Sequence, residues 1–346
     1  MAITSMSFES VKPNGNARNP LPGGEWRLHH LACHTDNMQL TLLSSGPQSA
    51  AALHGLFAPG STIDTPMGDV ICITNTSGDL SVAGLRFTPD TDAALRAFTP
   101  SPARPSTSTV SSTLAELGLA PGEWPILDDE SVAFAVARNY WRARGETAAT
   151  CAQLQSPAAE ARVIPATNEP VELHVIEENE AGERSSRPVA RWLGDADRGE
   201  PQGFGVAGLE QSTPSPGVLD ALRSSDVVVL TPMSPVLDGP GLLGVPGVRD
   251  ALRGTAARVV VMSPVGLPTS RDGDAERSAW SQAGLEMTSA QVAKLYADFA
   301  DVLLIDEDEA QGSYPGRLNV TRAPLARALV GDVEAAREVR TTVLGA

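Results

Sequence analysis

The chain has 346 residues, 42% hydrophobic and 20% charged, which is enough apolar matter for one large domain or two ordinary ones and too much for a coreless chain. Its 42 acidic against 26 basic residues give a formal net charge of −16, and aromatics are only 4%; such a chain repels a phosphate backbone and offers no stacking platform, so nucleic acid is not an expected partner. No apolar run reaches transmembrane length and the first residues lack an apolar signal core, so no membrane contact and a cytoplasmic location are expected. Cys33, Cys72 and Cys151 have no CxxC spacing and read as reduced thiols.

Residues 1–23, rich in Pro, Gly, Asn and Ser, read as a disordered arm, and residues 24–346 as a single α/β domain. Residues 26–33 read as a first strand and 47–57 as a helix. Residues 69–75 (DVICITN) are short, β-branched and bounded by Gly68 and by Ser77-Gly78, the pattern of a buried strand. A helix is expected at 91–98 after Pro89-Asp90, a Pro/Ser linker at 99–108, and helices at 110–119, 129–144 and 147–154. Residues from about 91 to 160 thus form an inserted helical subdomain. Strands at 162–164 and 171–177 flank PATNEP, and 178–203 reads as a charged insertion loop.

The second half alternates more regularly. Helices at 216–224, 245–252, 279–284, 289–299 and from Pro324 onward separate strands at 226–230 (DVVVL), 258–262 (RVVVM), 302–305 and 317–321. Continuous β-branched runs without alternation mark strands covered on both faces. Their alternation with helices predicts a doubly wound, mainly parallel, Rossmann-like α/β sheet with an inserted helical and mixed subdomain. In such sheets ligands bind beyond the carboxyl ends of the strands.

The loops at those ends carry the candidate chemistry. Ala32-Cys33-His34-Thr35-Asp36-Asn37 follows the first expected strand and has no glycine, so backbone N–H groups cannot cradle a phosphate there. It reads either as a side-chain-built ligand site or as a turn capped by Thr35 or Asp36. The second loop, Asn75-Thr76-Ser77-Gly78-Asp79, precedes Pro89-Asp90-Thr91-Asp92. Carboxylates clustered at a strand end suit Mg²⁺ bridging a diphosphate; capping of the helix at 91 explains Asp90 equally well but leaves Asp79 without a role. Met233-Ser234-Pro235 and Ser263-Pro264 are X-Pro turns at two further strand ends.

Taken together, STPSPGVLDALRSSDVVVLTPMSPV, GVPGVRDALR, VVVMSPVGLP and AQVAKLYADFADVLLIDEDEA resemble the 2-phospho-L-lactate transferase (CofD) family. ITNTSGDLSVAGLRFTPDTDAALRAF, WPILDDESVAFAVARNYWRARG and RVIPATNEPVELHV resemble further segments of that family, in the same order, over roughly residues 26–340. The resemblance implies transfer of a phospholactyl or phosphoenolpyruvyl group from a guanosine-diphosphate-linked donor to the ribityl hydroxyl of a deazaflavin, with GMP leaving and Mg²⁺ assisting. It implies Asp79 and Asp90 as catalytic and metal-holding residues and Cys33, His34, Thr35, Asn75, Ser234 and Ser263 on the donor side. Asp129, Thr167, Asn168 and Glu169 would line the acceptor side. A homodimer, or pairing with a related subunit, is expected.

Several polar family positions have changed. The family's glycine-rich loop with its cation corresponds here to Cys33–Gln39, the Gly-Asp-Asp pair to Ser77-Gly78-Asp79, and the Asp-Asp pair to Asn168-Glu169. The helix segment that ends in histidine in the family reads Ser131-Val132-Ala133-Phe134-Ala135. Two functions fit this pattern: a transferase with an altered substrate, or a catalytically inactive relative that uses the cleft for recognition or for pairing.

Overall fold

The computed structural model describes residues 38–58, 69–100, 106–118, 128–178, 182–195, 197–309 and 312–345, all within one unit, Asn37–Ala346. The expected strand at 26–33 and the residues Cys33, His34 and Thr35 lie outside the described residues.

Seven strands form the central sheet: β1 (Gln39–Ser44), β2 (Asp69–Thr74), β5 (Arg162–Pro165), β9 (Val227–Leu230), β10 (Arg258–Met262), β11 (Val302–Asp306) and β12 (Asn319–Ala323). Between them come the hairpin β3 (Leu80–Val82) and β4 (Leu85–Phe87), and the strands β6 (Glu172–Glu178), β7 (Arg184–Pro188) and β8 (Pro201–Ala207). The sheet order is β12-β11-β10-β9-β1-β2-β5, and every neighbouring pair is parallel. The chain therefore winds from β1 through β2 to β5 on one side, then returns to β9 and winds outward to β12. The strand order reverses between β1 and β9, the topological switch point of the Rossmann arrangement.

Both faces are covered, as the uninterrupted apolar strands require. In β9, Val228 and Leu230 join one core cluster while Val227 and Val229 join the other. Leu43 of β1 packs on the first face and Leu40 and Leu42 on the second. The C-terminal helix Val333–Leu344 closes the second face through Val339 and Val343. Among the described residues, no helix is long and apolar enough to cross a membrane.

Three expectations change. The strand between β2 and β9 is Gln39–Ser44, so the loop that reaches the switch point is Ser45-Gly46-Pro47 and it does contain a glycine. The stretch 178–203 is not a plain loop: β7, the short helix Val189–Leu193 and the start of β8 lie in it. They build with β6 an antiparallel sheet in the order β7-β6-β8. The helix from Pro324 is two helices, Leu325–Leu329 and Val333–Leu344, broken where Gly331 takes φ +98°, a conformation that suits glycine and stops the first helix.

Two helices, Asp129–Arg142 and Ala148–Gln155, stand where the sequence pattern predicts them. Arg138 anchors it, donating to Asp92 Oδ1 at 2.5 Å, to Gln155 Oε1 at 3.0 Å and to the Arg86 carbonyl at 2.8 Å.

Candidate functional site

At the carboxyl ends of β1 and β2 the chain leaves a cleft of about 460 Å³. Its polar floor holds Asn75, Ser77, Asp90, Asp238 and Arg271. Pro47, Ala50, Pro89 and Ala93 form one apolar wall, from the first turns of two helices. Leu173 of β6 and Val189, Ala190 and Leu193 of the short helix after β7 form the other. The antiparallel excursion thus places an apolar cover over the switch point.

Local sequence explains the floor. Ser45 is extended (φ −157°) and Gly46 turns with φ +80°, which frees the Gly46 N–H at the start of the helix Gly46–Ala52. Asp90 supplies the acceptor. Its carboxylate takes the Gly46 N–H at 2.9 Å and the Ser45 hydroxyl at 3.0 Å. Its own helix, Pro89–Phe98, has Thr88 at the N-cap. Asp90 therefore does not cap that helix; it satisfies the start of the helix after β1.

A relay fixes its orientation. The Ser77 hydroxyl and amide donate to Asn75 Oδ1 at 3.0 Å, Asn75 Nδ2 donates to Ser45 Oγ at 2.9 Å, and Ser45 Oγ donates onward to Asp90. Gly241 makes room for this relay: a Cβ there would lie 1.8 Å from Ser77 Oγ.

Asp238 stands on the other side of Gly46. A Cβ at Gly46 would lie 2.7 Å from Asp238 Oδ2. Asp238 accepts the Ser234 amide at 2.8 Å and takes Arg271 in a two-pronged bridge, Nη2 to Oδ1 at 2.7 Å and Nη1 to Oδ2 at 3.0 Å. Arg271 Nη1 also donates to Glu276 Oε2 at 3.1 Å, and Trp280 Nε1 holds the other oxygen of Glu276 at 2.8 Å. Burial, reinforced by the charge of Asp238, pushes the Asp90 carboxyl up to about 6, against the pull of the Gly46 and Ser45 hydrogen bonds and of Arg271.

Asp79 is close to this floor without lining it. A Cβ at Gly78, the residue before it, would meet Asp90 Oδ2 at 3.7 Å. The Asp79 carboxylate is buried and bridged by Arg86 at 2.9 Å. Its Oδ1 has no hydrogen-bond partner among the described residues. Burial outweighs Arg86 and raises this carboxyl to about 7. Asn75 and Asp90 are thus the sequence-expected residues found in the cleft.

The others serve the frame. Ser234 is buried and caps its own turn, accepting from the amides of Val236 and Leu237. Ser263 is fully buried and bonds Ser289 at 2.5 Å. Asp129 accepts the Val110 amide at 2.9 Å and the Thr107 hydroxyl at 2.7 Å, which holds its carboxyl below the usual range. Asn168 accepts the Ala148 amide at 2.8 Å, at the start of the helix Ala148–Gln155. Thr167 donates to Glu169, which also accepts the Thr213 amide at 3.1 Å. None of these lines the cleft. Ser45, Gly46, Asp238, Arg271 and Glu276 do the shaping instead, and the sequence pattern singles out none of them.

The comparisons with known proteins agree with this architecture. The family model described as 2-phospho-L-lactate transferase CofD matches residues 50–342. The phosphoenolpyruvate transferase of Thermobifida fusca is 30% identical over 83% of this chain and 92% of its own length. The 2-phospho-L-lactate transferase of Methanosarcina barkeri is 25% identical over 81% and 91%. The solved structure of protein BH3568 from Bacillus halodurans superimposes with a TM-score of 0.52 at 17% identity, covering 84% of this chain and 90% of that one, and shares the fold. The chain belongs to the 2-phospho-L-lactate transferase CofD family.

Proposed function

We propose that the chain transfers a phosphoenolpyruvyl or phospholactyl group from a nucleotide-diphosphate-linked donor to a hydroxyl of a deazaflavin-type acceptor in the cleft beside Asp90. The acceptor oxygen forms a new bond to the phosphorus carrying the three-carbon acid. The bond from that phosphorus to the nucleoside monophosphate oxygen breaks, and the hydroxyl proton is lost to solvent. The observation that carries this reading is the buried, raised carboxylate of Asp90 at the switch point of a CofD-family sheet. Relatives named phosphoenolpyruvate transferase and 2-phospho-L-lactate transferase supply the substrate class.

Mg²⁺ fits this donor set as an ion completed by substrate. It is commonly held by one or two carboxylates together with phosphate oxygens and water, and among the described residues there is no cluster of three or more ligating side chains that would form a self-contained cage. Asp90 would hold it in the cleft, with Asp79 behind, whose buried Oδ1 lacks a partner among the described residues. The ion would neutralise the diphosphate. The protein's own part is positioning: the Ser77–Asn75–Ser45 relay fixes Asp90, and the apolar walls flank it, which suits phosphoryl transfer, where orientation and charge neutralisation dominate.

The test is direct. The protein is incubated with Mg²⁺, a deazaflavin bearing a ribityl chain and a guanosine-diphosphate-linked phosphoenolpyruvyl donor, and GMP is measured. Release that disappears in Asp90→Ala supports the transferase. No release, together with no nucleotide-induced rise in melting temperature, points to the non-catalytic relative.

A further inference from the structure

Among the described residues, Arg271 is the one basic side chain that lines the cleft. Its side chain is only 12% exposed, and its charge is spent unusually on one side. A guanidinium offers one N–H fork at its end, from the two Nη groups, and a second along its side, from Nε and Nη2. Asp238 takes the end fork and Glu276 takes the remaining Nη1 hydrogen. The side fork has no protein acceptor among the described residues. Asp238 and Glu276 are themselves fixed by the Ser234 amide and the Trp280 indole, so the guanidinium plane is held from behind.

We infer that the side fork of Arg271 is the subsite for the carboxylate of the transferred three-carbon acid, a planar monoanion gripped by Nε and Nη2 together. The inference rests on the transferase reading for the identity of the acid. Geometry favours a bidentate oxyanion, because a planar fork matches two oxygens on one centre. Charge favours a carboxylate over a phosphate. Asp90, Asp238 and Asp272 also line the cleft, Asp272 being bridged by Arg198 at 2.6 Å, and among the described residues no second basic side chain lines it to balance a dianion. Placing the carboxylate here and the diphosphate toward Asp90 and the Gly46 turn spreads the ligand's charge across the floor. It also makes Arg271 the residue that distinguishes an acid-bearing donor from one that lacks the acid.

Isothermal titration with phosphoenolpyruvate, with vinyl phosphate (the same molecule without its carboxylate) and with inorganic phosphate, all in Mg²⁺, reads this out without turnover. Wild type is expected to bind phosphoenolpyruvate at least tenfold more tightly than vinyl phosphate. In Arg271→Lys, which keeps a cation between Asp238 and Glu276 but loses the fork, the two affinities converge while inorganic phosphate binds as before. Equal affinity of wild type for phosphoenolpyruvate and vinyl phosphate overturns the assignment, as does no measurable binding of phosphoenolpyruvate. It is also overturned if Arg271→Lys keeps the tenfold preference, or if the variant weakens inorganic phosphate by the same factor, which would make Arg271 a phosphate site. The wild-type ratio needs no variant, so misfolding of Arg271→Lys leaves the test intact. The two readings fail separately: GMP release with an unchanged donor KM in Arg271→Lys removes the subsite and keeps the transferase, whereas Arg271-dependent binding without GMP release keeps the subsite and removes the transferase.

Discussion

Asp90 and Asp238 flank the same glycine. Gly46 gives its amide to Asp90 at 2.9 Å, and the space where its side chain would stand lies 2.7 Å from Asp238 Oδ2. Two carboxylates on either side of one turn repel, and of the two it is Asp238 that Arg271 bridges. Under the transferase reading, the place for one more positive charge is therefore next to Asp90.

That relationship sets a pH dependence for metal binding. The Asp90 carboxyl is raised to about 6, so above that value it is a carboxylate open to a cation and below it a proton competes. The apparent Mg²⁺ affinity is expected to fall about tenfold for each pH unit below 6, and to level off above 7. Titrating Mg²⁺ against GMP release at pH 5, 6, 7 and 8 measures this. In Asp90→Asn the pH slope disappears, and kcat falls on the order of 10²-fold or more. A flat Mg²⁺ profile in wild type would remove Asp90 from the metal's ligands.

Gly46→Ala tests the turn itself. The residue sits at φ +80°, where an added Cβ is strained by about 1 kcal/mol, and it would press on the Asp238 carboxylate, which is pinned by Arg271. A drop in melting temperature of several degrees is expected together with loss of GMP release. Gly84→Ala is the control: Gly84 has φ +77° but, among the described residues, nothing within 4 Å of its added Cβ, so it should show the backbone cost and keep activity.

How much of this was legible in the sequence follows from what each strand had to bury. β9, β10 and β11 are covered on both faces, and their unbroken runs of Val, Leu and Ile carried the signal. β1 is equally buried but reads QLTLLS, because Thr41 spends its hydroxyl on Ser225 at 2.7 Å and Ser44 stands at the strand end. That polar lettering hid the strand, and with it the glycine turn that shapes the cleft. The hairpin β3–β4 turns on Ala83-Gly84, both at positive φ; alanine there is sterically unfavourable and is no turn signal. Asn75 and Asp90 were found because they sit beside a strand with clear ends. Arg271 and Asp238 were not, since they meet across 33 positions of chain and neither lies in a recognisable pattern.

Asp79 predicts a stability effect of opposite sign to that of a surface carboxylate. Its folded pKa of about 7 lies above the unfolded value of 3.8. Between these values the folded state binds the proton and the unfolded state does not, so this group's contribution to stability declines as pH rises from about 4 to about 7. Asp79→Asn, measured by thermal melting in chelator, should therefore flatten the pH dependence in that window, where the wild-type contribution changes by on the order of 4 kcal/mol between its ends. An unchanged pH profile in the variant would show that Arg86 fully compensates the burial of Asp79.

The bridge between Asp92 and Arg138 predicts how the helical insertion is attached. Both side chains are nearly fully buried, 3% and 7% exposed, and meet at 2.5 Å. Gln155 adds a second donor to Asp92 at 2.8 Å, and Arg138 also donates to the Arg86 carbonyl. The pair thus ties the helices Pro89–Phe98, Asp129–Arg142 and Ala148–Gln155 to the β3–β4 hairpin. Removing one partner leaves an uncompensated buried charge, at a cost of about 3–5 kcal/mol. Arg138→Met is expected to lower the melting temperature by about 10 °C and to expose the helix Asp129–Arg142 to amide exchange before the central sheet opens. Asp92→Asn with Arg138→Met removes both charges and should recover part of the loss, because the penalty lies in the unpaired charge more than in the missing attraction. Asp90, two residues along the same helix, reaches the cleft, so the single variant is also expected to reduce GMP release while the double variant restores it in step with stability.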